Sequence, residues 1–399
     1  MKLIAERLNR FQPSLTVEIS QKARELRAKG IEIVSLSSGE PDFDTPQHIK
    51  NYAIESINEG FTKYTQVDGI LELKKSIRKK FMKENRLKYE IDQITVGVGG
   101  KHVIYNLFMS TLNKGDEVII PAPYWVSYPD IVSLCNGKPI IVKTQIENGF
   151  KITPSQLEEK ISPRTKWFVL NSPCNPTGSI YTSGELRKLS EILSKFENVG
   201  ILSDDIYEHI IYNNRKFCNI LNEAPDLYKR TFIVNGVSKA FSMTGWRIGY
   251  GAGTKELIKS ISKVQTQSTT NPCSISQKAA LFALESEKTF LKDWIKQFYA
   301  RKNFLIDFFS SQKQFLPFEP DGAFYLYISC HEFIGKKFGE KLIRNDIDFS
   351  NFLLEQARVA VVPGVAFGMS PYFRISYATS MENLLKATEQ IQKAVKHIK

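Results

Sequence analysis

The sequence predicts an α/β protein, a mainly parallel seven-stranded sheet sandwiched by helices with a smaller α+β domain after it. Two observations carry this. Seven short runs rich in β-branched and aromatic residues recur along the middle of the chain: "QITVGVG", "DEVIIP", "KPIIVKT", "KWFVLN", "VGILS", "RTFIVNG" and "RIGYGAG". Amphipathic helical stretches separate most of them, and runs that are apolar at consecutive positions belong to strands covered on both faces. Beyond about residue 290 the pattern changes. A long helical segment, "FLKDWIKQFYARKNFLIDFFSS", leads into "GAFYLYISC", "VAVVPG" and "YFRISYAT". The expected division is a large domain over 46–290 and a small domain made of 1–45 with 291–399, joined through "GEPDFDTP".

The helices follow from spacing. In "IKNYAIESINEG", Ile49, Tyr52, Ala53 and Ile57 share one helical face and Gly60 closes it. In "GILELKKSIRKKF", Ile70, Leu73, Ile77 and Phe81 repeat the pattern. "KHVIYNLFMSTL" and "GELRKLSEILSKF" are the next helices. Over 399 residues the chain is 42% hydrophobic and 24% charged, ordinary globular usage. No apolar run approaches the roughly 20 residues of a membrane helix, and "MKLIAERLNRFQPS" lacks the apolar stretch of a signal peptide. A cytoplasmic protein with no membrane partner is expected.

Five scattered cysteines with no CxxC pair indicate neither a disulfide framework nor a zinc site. Glu208 with His209 is a metal-like pair without an i, i+4 partner, so no metal is expected. The net charge of +12 comes from lysines spread along faces such as "LKKSIRKKFMKENRLK". With no arginine-rich arm or nucleic-acid-binding signature, these read as solvated faces and no nucleic-acid partner is expected.

Ligands of open α/β sheets bind beyond the carboxyl ends of the strands. The residues just past each run are therefore informative. After "ITVGV" come Gly99, Gly100 and Lys101, opening a helix; after "EVIIPAPY" comes Trp125; after "KWFVLNSPC" comes Asn175. After "VGILS" come Asp204 and Tyr207, and after "TFIVNGVS" comes Lys239, with Arg247 eight positions later in "SKAFSMTGWR". Each has an ordinary reading: Asp204 as a helix cap, Asn175 as a turn starter, Trp125 as core, Lys239 as a snorkelling side chain. Together they are what pyridoxal 5′-phosphate requires. Its aldehyde needs a lysine for a Schiff base. Its ring nitrogen needs a carboxylate that keeps it protonated, so that the ring acts as an electron sink. Tyr207 and Asn175 suit its phenolic oxygen and Trp125 its ring face. Gly99, Gly100 and Arg247 suit its phosphate.

"SKAFSMTGWRIGY" resembles the lysine motif of the class I aminotransferases, of pyridoxal-phosphate fold type I. "NSPCNPTG", "SDDIYEH", "APYWVSYP", "GEPDFDTP" and "FRISYATS" are similar to further motifs of that family, in the family's order. The resemblance runs from about Pro13 to the C-terminus and is greatest to the bacterial aspartate/prephenate aminotransferase branch. It implies that Lys239 binds the cofactor and then moves the proton between substrate Cα and cofactor C4′. It implies that Asp204 pairs with the ring nitrogen and that Arg374 forks the substrate α-carboxylate, with Gly39 adding a backbone contact. Trp125 and Asn175 would border both cofactor and substrate. Tyr64, in "TKYTQVDG", would reach the phosphate of a neighbouring subunit, which makes the protein a homodimer with active sites at its interface.

The resemblance also bears on the substrate. One branch uses a partner-subunit arginine just before an "NP" dipeptide for the second carboxylate of aspartate or glutamate. The matching segment here, "KVQTQSTTNPC", has none. Lys101 is then the candidate for that carboxylate, its alternatives being a phosphate contact or a solvated lysine. Relatives that accept prephenate tend to carry a basic residue just before "PS"; that position is Gln12, and Arg10 is two residues away. Aspartate and glutamate with their oxo acids are the expected substrates, with prephenate to arogenate as a further reaction. The rivals are an aminotransferase for aromatic or other amino acids, a C–S lyase on the same fold, a regulator that binds the cofactor without catalysis, and a dehydrogenase prompted by "GVGG". The last lacks the full G-x-G-x-x-G.

Overall fold

The apolar runs become a sheet buried on both sides. The computed structural model describes residues 3–11 and 15–399. A two-residue strand, β1 (Val34–Ser35), precedes β2 (Ile94–Val98), β3 (Glu117–Ala122), β4 (Lys138–Lys143), β5 (Thr165–Asn171), β6 (Gly200–Asp204), β7 (Thr231–Gly236) and β8 (Ile248–Ala252). The last seven form one sheet in the order β2-β8-β7-β6-β5-β3-β4. Its pairs are parallel except at β8, which runs antiparallel to both β2 and β7. Phe168 and Leu170 of β5 join one core layer, while Trp167 and Val169 join the layer on the opposite face. That double burial is why the strand sequences do not alternate with polar residues.

The helix Leu71–Lys80 buries Ile70, Leu73, Ile77 and Phe81, as their spacing requires. In the helix Gln47–Asn58, Ile49 and Ala53 are buried but Ile57 is 49% exposed. Ser56 takes the inner place, because seven residues return closer to the starting face than eight. Two lysines of the basic stretch are not solvated. Lys74 is buried against Asp68 at 2.5 Å, and Lys80 is buried against Glu208. A carboxylate partner lets an ammonium leave water.

The remaining strands are β9 (Leu316–Phe318), β10 (Tyr325–Ser329), a hairpin of β11 (Lys337–Phe338) and β12 (Lys341–Leu342), then β13 (Val359–Ala360), β14 (Val362–Pro363) and β15 (Tyr372–Ser376). An antiparallel sheet, β14-β15-β10-β9, packs against the helix Phe290–Ser311 over an aromatic core that includes Phe309, Phe315, Phe349 and Phe373. β1 pairs in parallel with β13, and Ala23 and Ile33 pack on Leu354 and Ala360, so the chain from 15 to 35 lies on this second sheet unit. The short helix Glu6–Arg10 lies instead on the first, where Arg10 donates to the Ser133 carbonyl and to Asn136. Among the described residues no helix is long and apolar enough to cross a membrane.

Candidate active site

A cavity of about 440 Å³ opens where the carboxyl ends of β6 and β7 face β10 and β15. That is within the size range of small-molecule sites. Gly39, Gly100, Lys101, Trp125, Asn175, Asp204, Tyr207, Lys239, Arg247 and Arg374 all line it. A larger groove of about 1130 Å³, between the hairpin β11–β12 and the C-terminal helix Met381–Val395, is an open surface with a mixed lining that includes Lys337, Lys393, Glu340, Gln390 and His397. No comparable set of chemical groups converges there.

β7 delivers Lys239 three residues past its end, in the turn Val237–Ser242. Its ammonium donates to the Gly39 carbonyl at 2.6 Å and lies 5.7 Å from the Tyr207 ring. Its pKa is lowered to about 8, chiefly by burial, with Arg374 and Arg247 contributing to the fall and Glu40 and Asp204 opposing it. An amine so placed yields a neutral, nucleophilic form near neutral pH far more readily than a surface lysine.

Asp204 closes β6 and is buried. Burial pushes its pKa up to about 6, against hydrogen bonds from Tyr128 and the Ile206 amide and the nearby Lys239. The Tyr128 hydroxyl donates to Asp204 Oδ2 at 2.5 Å, and the Ile206 amide lies 3.3 Å from Oδ1. Beside them the Tyr207 and Tyr325 hydroxyls share a hydrogen bond of 2.7 Å. Trp125 meets the Tyr128 ring edge-on at 5.2 Å.

The far corner is built for an anion. Gly99 has φ +81°, a conformation glycine adopts without strain. A Cβ there would stand 2.4 Å from the Arg247 guanidinium, so the missing side chain is what admits arginine to the turn. The first amides of the helix Gly100–Thr111 have no intrahelical acceptor and carry the positive end of its dipole. Arg247 donates to the Thr244 carbonyl at 2.8 Å. Gly249 serves the same corner from β8, since a Cβ on it would lie 2.1 Å from the Gly100 nitrogen.

Arg374, on β15, is buried and donates to Asn175 Oδ1 at 2.9 Å and to the Ser37 carbonyl at 2.8 Å. Tyr325 and Phe367 flank its guanidinium at 4.4 and 4.9 Å. Its Nε is buried without a partner. An unpaired guanidinium N–H is costly and is the donor a bound carboxylate would satisfy. Asn175 also receives orientation from Asn171, whose Oδ1 accepts from its amide at 3.0 Å. Lys101 stands at the cavity mouth, its ammonium 5.1 Å over Trp125. Its pKa is lowered by partial removal from water and by Arg247, with Asp130 opposing.

Tyr64 is not brought in: it is 90% exposed and does not line the cavity. Gln12 lies outside the described residues, and Arg10 is engaged with Ser133 and Asn136 rather than with the cavity. Glu84, Glu208 and His209 place ligand-type atoms within 4.8 Å of one another, but Lys80 pairs with Glu208 and Lys288 with Glu84, so ammonium groups already neutralise the cluster. Among the residues of the cavity region that the sequence left unmarked are Thr16, whose hydroxyl is buried without a partner, Tyr128, Asn171, Tyr325 and, behind the glycine turn, Gly249. Tyr128 had a usable signal, one helical turn beyond Trp125 in "YWVSY".

A family model described as aminotransferase class I and II matches residues 31–391. The chain belongs to that family. A protein of Rickettsia typhi named probable aspartate/prephenate aminotransferase is 53% identical to this aminotransferase over 395 residues, 99% of each chain. The crystal structure of the aspartate aminotransferase from Rhizobium meliloti superposes on it with TM-score 0.97 at 45% identity, covering all of both chains. The aspartate aminotransferase from Thermus thermophilus with maleate gives TM-score 0.93 at 38% identity, covering 99% of this chain and 100% of that one. The α/β fold with its seven-stranded sheet is thus the fold of aspartate aminotransferases.

Proposed function

We propose that this aminotransferase transfers the amino group of L-aspartate to 2-oxoglutarate, giving oxaloacetate and L-glutamate, with pyridoxal 5′-phosphate as the carrier. The observation that carries the reading is one buried lysine of lowered pKa sharing a cavity with a buried arginine whose Nε lacks a partner. The donor set fits the cofactor. Lys239 would hold its aldehyde end, Asp204 its ring nitrogen, Tyr207 and Asn175 its ring oxygen and Trp125 its ring face. Gly99, Gly100 and Arg247 would hold its phosphate. When bound, the cofactor supplies the carbonyl carbon that carries the amino group and an electron-withdrawing ring.

The chain's own residues do the rest. Arg374 forks the substrate α-carboxylate, with Gly39 at its side, and so fixes the Cα–H bond toward Lys239. The neutral amine of Lys239 takes the Cα proton and later returns one. The small domain, residues 1–45 with 291–399 except for the helix Glu6–Arg10 that lies on the other unit, covers a large cofactor-binding domain, residues 46–290, and closure of the cleft excludes water. Lys101, at the cavity edge, binds the distal carboxylate; maleate in the structure of the Thermus enzyme supports a dicarboxylate as the substrate class. A second reading adds prephenate as an acceptor, favoured by the name of the Rickettsia relative. Tyr64, exposed and outside the cavity, would reach the phosphate in a second copy, which makes the enzyme a homodimer. We place it in the cytoplasm.

The purified protein supplied with cofactor should show a visible absorbance band that aspartate removes and 2-oxoglutarate restores. No band, or a higher kcat/KM for an aromatic or branched-chain amino acid than for aspartate, overturns the reading. Pyruvate and ammonia released from cystathionine without an oxo acid would point to the C–S lyase instead. Lys101→Met should lower kcat/KM for aspartate by about 10- to 100-fold, because one ion pair is lost, and change that for alanine by less than about threefold. Equal losses for both amino acids would assign Lys101 to the phosphate.

A further inference from the structure

We propose that Tyr128 is a positioning residue that keeps the proton between Asp204 and the cofactor's ring nitrogen on the nitrogen. This rests on the cofactor reading above. Tyr128 is the second residue of the helix Ser127–Leu134, and its side chain is fully buried. Its hydroxyl donates to Asp204 Oδ2 at 2.5 Å. Burial and the adjoining carboxylate push the phenol's own pKa well above its ordinary value, so the group stays a donor.

The two oxygens of Asp204 are therefore unlike. Oδ2 is taken by Tyr128, whereas Oδ1 has only the Ile206 amide at 3.3 Å and is left for a ring N–H. The bond also sets basicity. A buried carboxylate without donors is raised toward the range of a pyridine nitrogen and competes with it for a single proton. A hydrogen bond to an ionised acceptor shifts such an equilibrium by about tenfold to a hundredfold. Tyr128 thus favours carboxylate with pyridinium over carboxylic acid with neutral pyridine, and only the pyridinium withdraws electrons strongly. Among the described residues no other side chain donates to the Asp204 carboxylate; the Asn171 amide donates to its backbone carbonyl instead.

The test is a double-mutant cycle read by the ¹⁵N resonance of cofactor labelled at its ring nitrogen and bound to the holoenzyme. Tyr128→Phe removes one oxygen and keeps the ring against Trp125. Asp204 can take up a proton in response, so the variant folds, which its melting curve checks. The neutral share of the ring nitrogen should rise about tenfold or more in Tyr128→Phe, moving the resonance toward the neutral-pyridine position. In an Asp204→Asn background the same change should move it by less than a fifth as much, because Tyr128 acts through Asp204. An unmoved resonance in Tyr128→Phe, or equal shifts in both backgrounds, overturns the proposal. If wild-type protein binds no labelled cofactor, the parent reading fails with it, and that result is distinct from an unmoved but present signal.

Discussion

Lys239→Ala is expected to lower kcat for aspartate transamination by about 10⁴-fold, the upper range for loss of a positioned acid–base group. It should also remove the visible band of the cofactor-loaded protein. The fold should survive. The Lys239 ammonium makes one hydrogen bond, to the Gly39 carbonyl, and is held buried where its charge is disfavoured. Deleting it relieves that desolvation cost, so the cofactor-free variant should melt at the wild-type temperature or a few degrees above it. Steady-state kinetics, absorbance and a melting curve check the three parts. Residual activity above about a tenth of wild type would mean that another group moves the Cα proton.

Arg374→Lys should lower kcat/KM by about 10²- to 10³-fold, and by similar factors for aspartate and for alanine, because every amino acid carries the α-carboxylate. A lysine cannot offer two parallel N–H groups, nor can it fill the slot between Tyr325 and Phe367 or bond Ser37 and Asn175 together. Kinetics with both amino acids separate this site from Lys101. A loss confined to aspartate would move the distal-carboxylate role to Arg374.

The parts of this molecule that were legible in the sequence are those whose physics is local. Ile70, Leu73, Ile77 and Phe81 announce a helix because each faces the core by periodicity alone. The strand ends announce the site because a polar residue after an apolar run has few other places to be. The features that were not legible depend on pairing between distant segments. Lys80 reads as a solvated lysine until Glu208, 128 positions away, is folded beside it. Tyr325 reads as one more aromatic of "GAFYLYISC" until its hydroxyl meets Tyr207. Thr16 becomes a cavity residue only when its helix, Leu15–Ala28, docks. Gly249 carries no mark in a glycine-rich strand; its necessity comes from the Gly100 amide lying against it.

The reversed strand β8 has a consequence for how this chain can vary. Because it runs back along β7, its second residue, Gly249, pairs with Gly236, the last of β7, which sets Lys239 and Arg247 on one rim from a single short loop. β8 is hydrogen-bonded on both sides, so its register is fixed twice over. An insertion or deletion of one residue between Val237 and Arg247 could be absorbed by the strand only through a slip of one position. That would turn Tyr250 toward the Gly100 amide, where only the glycine face of Gly249 and Gly251 fits. The interval between the amine and the guanidinium is therefore a ruler cut to one length, and length changes should be tolerated almost anywhere on the protein's surface before they are tolerated here.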